Sequence, residues 1–306
     1  MEQCDGHPAK ISCVILNYND EETVTNLVQL IHDYDYLESI VVVDNASTDD
    51  SYDNLLVLQD EKVSVIQTGK NGGYGAGNNA GVRYATEVLG ATHVLIANPD
   101  VVFSEQCVMK MARMFTKHPD TGVVAACMQD ETYGTGGSNY NGWKLRSFTG
   151  ELLAMGPISR RIFGKFLNYP ESYFQNKKAV YVDAVHGSML MVDGAAFREC
   201  GGYDENIFLY QEEAVLGWRM KTAGYRTVLL LTEEYQHQHS ASISRSYEKL
   251  IERQKLRNES VLYYMKHYLY INPVQEWIAK LWFAMILLED RVAALILKDA
   301  EAEGEE

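Results

Sequence analysis

A chain of 306 residues that is 46% hydrophobic can bury a substantial core, as one large domain or two small ones. Charged residues make up 23%, which argues against a disordered or fibrous chain, and the formal net charge of −15 argues against a general nucleic-acid binder, which needs a basic footprint. The cysteines (Cys4, Cys13, Cys107, Cys127, Cys200) are scattered through apolar runs with no CxxC pair, so a reducing, cytoplasmic compartment fits better than a disulfide framework or zinc knuckle. The opening residues lack the basic-then-apolar pattern of a secretory leader, and no uninterrupted apolar run approaches the ~18 residues of a membrane span.

In chain order, residues 11–16 (ISCVIL) form a β-branched apolar run that reads as a buried first strand. Asn17, Tyr18, Asn19 and Asp20 break it, and Asn19 or Asp20 suits the cap of a helix over 21–34. Residues 40–43 read as a second strand, with Ser47 or Thr48 capping a helix through about 58. Residues 63–67 read as a third strand. A stretch rich in glycine and asparagine over 71–81 leads into a helix over 78–89. A fourth strand, 93–97, must stop at Asn98-Pro99-Asp100, because Pro99 has no N–H for a ladder. A short apolar run, 101–103, a helix over 105–118 and a strand over 122–128 follow. Residues 129–176 lose periodicity and read as a long irregular insertion. Regular pattern returns at 179–192, around His186-Gly187-Ser188, then in a helix carrying Glu212-Glu213, a strand over 226–231 followed by His237 and His239, and helices over 246–270 and 274–298. Strands alternating with helices imply an α/β fold with a mixed, mostly parallel sheet flanked by helices.

Three strand ends deliver polar groups to one sheet edge: Asn17-Tyr18-Asn19, Asp44-Asn45 and Asn98-Pro99-Asp100. Convergence at the carboxyl edge of a parallel sheet points to a nucleotide-type site. Asp44 can accept an N–H from a base edge, and Asp100 suits a hard divalent cation shared with phosphate oxygens. Gly75-Ala76-Gly77-Asn78-Asn79-Ala80 also satisfies a G-x-G-x-x-A dinucleotide fingerprint, so a nicotinamide-dependent oxidoreductase is an alternative, as is a non-catalytic sugar-nucleotide-binding protein. The fingerprint should follow the first strand of its unit, and here it follows the third. Glu212 and Glu213 are either dipole-compensating charges at a helix start or, beside a diphosphate site, candidates for a general base.

Together, VILNYND, VVVDNASTDDS, NGGYGAGNNAG, ANPDVVF and FRECGGYDENIFLYQEEAVLGWRMKTAGY resemble, in order and spacing over residues 11–242, the inverting nucleotide-sugar glycosyltransferases of family 2. The Asn-Pro-Asp form and the Tyr-Gln-Glu-Glu approach are most similar to the rhamnosyltransferase branch. The resemblance implies a GT-A (Rossmann-like) domain over 1–245, with a donor half at 1–128 and an acceptor half at 129–245, and a helical C-terminal extension at 246–306. It implies donor contacts from Leu16, Asn17, Tyr18, Asn19, Asp44, Asn45, Ser47, Asn71, Gly72, Gly73, Gly77, Asn78 and Asn98. A dTDP-sugar is the favoured donor, with a UDP-sugar next. It implies Mg²⁺ or Mn²⁺ held by Asp100, with help from His237 or His239. Catalysis falls to Glu213 with Glu212, and acceptor binding to His186, Gly187, Ser188, Trp218 and Arg219. The acceptor would be a glycan or lipid-linked sugar of a cell-surface polysaccharide. Two departures stand out: Glu213 takes the place of the family's Asp, and the next acidic position falls on Val215. The apolar helix over 274–298 needs a cover, either the domain itself, the inner face of a membrane, or a second copy in a homodimer.

Overall fold

The computed structural model describes residues 9–129, 140–238 and 247–303. Its elements are β1 (Ile11–Asn17), α1 (Glu21–Ile31), β2 (Ser39–Asp44), α2 (Ser51–Leu55), β3 (Val63–Gln67), α3 (Tyr74–Arg83), β4 (His93–Ala97), β5 (Val101–Val102), α4 (Glu105–Lys117) and β6 (Thr121–Gln129). There follow β7 (Gly142–Trp143), α5 (Phe148–Met155), α6 (Pro157–Leu167), β8 (Ala179–Val182), β9 (Ala184–Val185), β10 (Met189–Asp193) and α7 (Gly194–Glu199). The last are α8 (Glu212–Thr222), β11 (Arg226–His237), α9 (Tyr247–His267) and α10 (Pro273–Glu303). Two compact units result. The first takes Met1–Trp143, Glu171–Phe208 and Glu212–His239, and the second takes Lys144–Pro170, Leu209–Gln211 and Ser240–Glu306. Residues 144–170 therefore group with the C-terminal helices rather than with the rest of the expected acceptor half.

The first unit is built on a nine-stranded sheet in the order β3-β2-β1-β4-β10-β6-β11-β5, with β8 also on β11. Strands β3, β2, β1 and β4 run parallel, β10 lies antiparallel between β4 and β6, and β6 and β11 are parallel. This is the mixed α/β sheet flanked by helices that the alternation of elements implies. The parallel strands read as continuous apolar runs because both faces are covered: Val14, Ile15, Val41 and Val42 are inaccessible to solvent. On α1, Val24, Leu27, Val28 and Ile31 form the buried face that their spacing predicts.

The glycine-rich stretch departs from expectation. Helix α3 begins at Tyr74, so Gly75, Gly77 and Gly81 sit inside it rather than in a preceding loop. Their role is close approach of a helix to the sheet. A Cβ on Gly77 would lie 2.3 Å from Leu16 Cδ1, and one on Gly81 would lie 2.4 Å from Val14 Cγ1 and 2.8 Å from Val43 Cγ2. Packing thus overrides the low helix propensity of glycine. The same placement counts against the dinucleotide fingerprint, whose first glycine belongs in the tight turn before the helix, whereas Gly75 lies within α3.

Other differences have local causes. Asp20 is at the N-cap of α1, but its carboxylate accepts the Thr23 hydroxyl (2.7 Å) and caps no backbone N–H. Neither Ser47 nor Thr48 caps α2, which starts after Asp50 and continues as a 3₁₀ turn over Leu56–Leu58. The insertion expected to be irregular contains α5 and α6: Ser147 caps the first through Gly150 N, and Pro157 opens the second. Strand β11 runs to His237, six residues beyond the expected end, because after an irregularity between Leu230 and Glu234 it pairs with β5 at Gln236↔Val102 and His237↔Val101.

In the second unit, Leu152 and Met155 of α5 pack with Val261 and Met265 of α9 and Ala279, Phe283 and Ile286 of α10. The Trp282 indole donates to Leu152 O at 2.8 Å, so α10 finds part of its cover within the chain. Among the described residues no helix is long and apolar enough to cross a membrane.

Gly81→Val should cost about 2–4 kcal/mol in denaturant unfolding, because the added atoms overlap β1 and β2. Gly164→Ala, in α6 with nothing within 4 Å of the new Cβ, should instead stabilise by up to about 1 kcal/mol.

Candidate functional site

The carboxyl ends of β1, β2 and β3 meet around one buried carboxylate. Asp44 Oδ1 accepts Asn17 Nδ2 (2.9 Å) and Ser47 Oγ (2.5 Å), while Oδ2 accepts Ser47 N (3.1 Å) and Gln67 Nε2 (3.0 Å). Burial pushes the Asp44 carboxyl up, but the hydrogen bonds from Ser47, Gln67 and Asn17 outweigh it and hold the group below its ordinary value. A carboxylate has about four lone-pair sites, so Asp44 offers no open acceptor to a base edge in this arrangement; Gln67, at the end of β3, is the partner placed to yield one.

The adjoining loops are laced to this centre. Asn19, at φ 55°, donates its backbone N–H to Ser47 Oγ (2.9 Å) and accepts Thr48 N on its side-chain oxygen (2.8 Å). Tyr18 is exposed at the rim, and Leu16 is half-buried behind it. Asn45 donates to Asn71 Oδ1 (3.0 Å) and Gly73 O (3.1 Å) and accepts the Thr68 hydroxyl (3.0 Å). Gly73 must be glycine: its φ is +88°, and a Cβ would fall 2.1 Å from Phe208 O. Gly72 is bounded by Ala76, whose Cβ would meet one on Gly72 at 2.7 Å. In the first turns of α3, Asn78 donates to Tyr74 O, and its buried Oδ1 receives no hydrogen bond.

Asp100 stands where β5 turns back along β11. Its carbonyl accepts Gln238 N (2.8 Å), and its Oδ1 lies 3.2 Å from His237 Nε2. That approach is close but poorly aligned: the buried Oδ1 receives no hydrogen bond. A carboxylate oxygen left unsatisfied beside an imidazole nitrogen fits a divalent cation, so the residues present suit one. Among the described residues no three His, Cys, Asp or Glu side chains gather into a metal cluster, so further ligands would come from a bound diphosphate or water. His239, the other expected ligand, lies outside the described residues. Asn98 donates its backbone N–H to Ser188 O (2.7 Å), which joins this turn to β10.

His186 packs against His237 with ring centroids 5.7 Å apart. Its Nδ1 lies 2.9 Å from Ser188 Oγ, which is buried against the Tyr235 hydroxyl (2.7 Å). Ser188 therefore holds His186 in place and presents nothing to an acceptor, contrary to expectation. Gly187 joins the two sides of the site: its carbonyl accepts the Tyr74 hydroxyl (2.6 Å), and its N–H donates to Glu213 Oε1 (3.3 Å). Burial keeps the Tyr74 phenol protonated, well above its ordinary range.

Glu212 and Glu213 open α8, where negative charge is favoured by the helix dipole. Glu212 is buried and Glu213 half-buried. Val215 is fully buried, so a carboxylate at that position would lie in the core. Trp218 and Arg219 face away from the row on α8 that carries Glu213, Leu216, Gly217 and Met220. The Arg219 guanidinium clamps a turn, donating to Gly201 O (2.7 Å) and Gly202 O (2.9 Å) with Asp204 at 3.5 Å. Arg219 is thereby tied to the turn at 201–204. Three residues are added to the site: Gln67, Tyr74 and Tyr235. The first was legible as a third polar strand end; the other two depend on contacts across the sheet.

Because the folded-state pKa of Asp44 is lowered, its ionised form contributes stability in full above the unfolded value of about 4, and this is lost as pH falls through the folded value. Asp44→Asn should therefore destabilise by about 2–3 kcal/mol at neutral pH, with the difference from wild type shrinking in acid. Denaturant unfolding across that range checks this.

A family model described as "Glycosyl transferase family 2" matches residues 12–180. The chain is 29% identical over 216 residues to the low-salt glycan biosynthesis hexosyltransferase Agl10 of Haloferax volcanii, covering 69% of this chain and 61% of that one, so it spans about three-fifths of that relative's length. It is 27% identical over 217 residues to N-acetylglucosaminyl-diphospho-decaprenol L-rhamnosyltransferase of Mycobacterium tuberculosis, covering 68% of each. Among solved structures, a mannosyltransferase of Pyrobaculum calidifontis in complex with GDP-Man and Mn²⁺ superposes with a TM-score of 0.57 at 14% identity, over 100% of this chain and 84% of that one. GalNAc-T7 with UDP, GalNAc and Mn²⁺ gives 0.56 at 13%, over 87% of this chain and 57% of that one. These superpositions establish a shared fold.

Proposed function

The chain belongs to glycosyl transferase family 2, and from that premise we propose that it moves a hexose from a nucleoside-diphosphate sugar to a hydroxyl of a lipid-linked or growing cell-surface glycan by a single inverting displacement. The observation that carries this reading is the pair of bonds through Gly187. Tyr74, at the start of the glycine-rich helix, and Glu213, at the start of α8, are tied to the carbonyl and N–H of one residue. A candidate base is thereby fixed beside the loop expected to lie under the donor.

The parts then take the following roles. The base of the nucleotide lies over the ends of β1, β2 and β3, where Gln67 turns aside so that Asp44 accepts an N–H from it. The loop carrying Gly73 and the unsatisfied Asn78 Oδ1 face the donor sugar and phosphates. Asp100 and His237 would hold a Mg²⁺ or Mn²⁺ ion, which would supply charge neutralisation for the diphosphate leaving group. Gly187 N–H orients the Glu213 carboxylate, and Glu213 takes the proton from the acceptor hydroxyl as it attacks the anomeric carbon. The longer reach of Glu compared with Asp sets the acceptor hydroxyl slightly further from α8. His186, held by Ser188 and tilted against His237, lines the space between base and cation. L-rhamnose from a dTDP donor is the favoured sugar, supported by the Mycobacterium tuberculosis relative and by the Asn-Pro-Asp turn; a UDP-sugar is next.

Glu213→Gln should lower transfer by about 10²–10⁴-fold while leaving donor affinity near wild type. Transfer that survives this change, measured by product mass, would remove Glu213 as the base. Asp100→Ala should abolish the cation-dependent part of donor binding and leave the far-UV spectrum unchanged. Normal, cation-dependent binding by that variant would reduce Asn98-Pro99-Asp100 to a strand-ending turn.

A further inference from the structure

The second unit carries its charge and its exposed apolar surface together. Helix α6 (PISRRIFGKFL) contains no acidic residue. Ile158, Ile162 and Phe166 stand four residues apart in one row, exposed at 63%, 62% and 84%, with Phe163 beside them. Arg161 and Lys165 flank that row, while Arg160 lies on the opposite face of the helix; all three are exposed. Across 144–170, Lys144, Arg146, Arg160, Arg161 and Lys165 are opposed by a single carboxylate, Glu151, which is buried. Glu151 is buried away from that exposed basic surface, and burial pushes its carboxyl up. In a chain of net charge −15, this concentration of exposed cations among exposed aromatic and aliphatic side chains runs against the rest of the molecule.

Helix α10, in the same unit, adds a second apolar stripe. Trp277, Leu281, Met285 and Leu288 recur at helical spacing and are all exposed, opposite the face that buries Ala279, Phe283 and Ile286. The start of α6 adjoins this helix, since a Cβ on Gly156 would lie 3.3 Å from Trp282 Cζ2.

We propose that the second unit docks on an anionic lipid surface through α6, whose apolar row enters the headgroup boundary while Arg161 and Lys165 beside it meet lipid phosphates, and that the α10 stripe extends the same contact. Charge complementarity selects this occupant. A second copy docked face to face would set the cations of α6 against one another, whereas an anionic bilayer matches both the exposed cations and the apolar row of this helix. The helix lies on the membrane and does not cross it. Docking serves a reaction whose acceptor is lipid-borne, but it stands on the surface chemistry and is tested without transfer.

The test is flotation of the full chain with phosphatidylcholine vesicles and with vesicles that also contain phosphatidylglycerol. Wild type should float with the anionic vesicles only, less so as salt rises. Arg161→Glu with Lys165→Glu should weaken binding by about tenfold or more, and Ile162→Ser with Phe166→Ser should abolish it. These positions are exposed, so unfolding curves should match wild type and either pair of changes suffices if the other misfolds. Absence of wild-type flotation, equal binding to both vesicle types, or retention of binding by a folded variant overturns the proposal. So does light scattering that shows a dimer which both α6 variants dissociate, because a second copy would then cover the face.

Discussion

The candidate site hangs on the buried carboxylate of Asp44. An isolated charge at that depth would be costly, and what makes it tolerable is a shell of donors drawn from three separate segments: Asn17 at the end of β1, Ser47 after β2 and Gln67 at the end of β3. The same requirement works in reverse. Because Asp44 demands partners, the three loops converge, and their convergence makes the concave sheet edge at which a nucleotide is expected. Asn19 and Thr48 extend the lacing outward, while Asn45 carries it to Asn71 and Gly73.

From Gly73 the constraint passes into α3. Glycine at 77 and 81 lets that helix lie directly on β1 and β2, which sets Tyr74 at the height of Gly187. Gly187 in turn reaches Glu213. On the other flank, β11 extends past its irregularity to pair with β5 and brings His237 to Asp100. Two acidic groups far apart in sequence are thus fixed on either side of the His186–Ser188 segment. The reaction proposed for them needs the ionised form of one and the cation affinity of the other.

Much of this was legible in the sequence where chemistry and local geometry coincide. Pro99 ends a strand whatever surrounds it, so Asp100 at a sheet edge followed from the residues alone. Asp44 and Asn45 after an apolar run were equally plain. Illegible were features set by long-range register. The family resemblance led to His237 beside Asp100, but not to the irregularity between Leu230 and Glu234 that carries the strand there, nor to Ser188 turning inward to meet Tyr235. Arg219 looked available until the carbonyls of Gly201 and Gly202 took it. Helices α5 and α6 escaped the periodicity argument for opposite reasons: α5 is apolar nearly all round, and α6 directs much of its apolar surface outward.

The central claim is that the edge around Asp44 and Asp100 receives a nucleoside diphosphate together with a divalent cation. The most direct measurement is the thermal shift of the wild-type chain with dTDP, UDP, GDP and NAD, each with Mn²⁺ and with a chelator. The predicted result is stabilisation by dTDP, and less by UDP, that largely disappears when Mn²⁺ is removed. Stabilisation by NAD alone, or by no nucleotide under either condition, would contradict it.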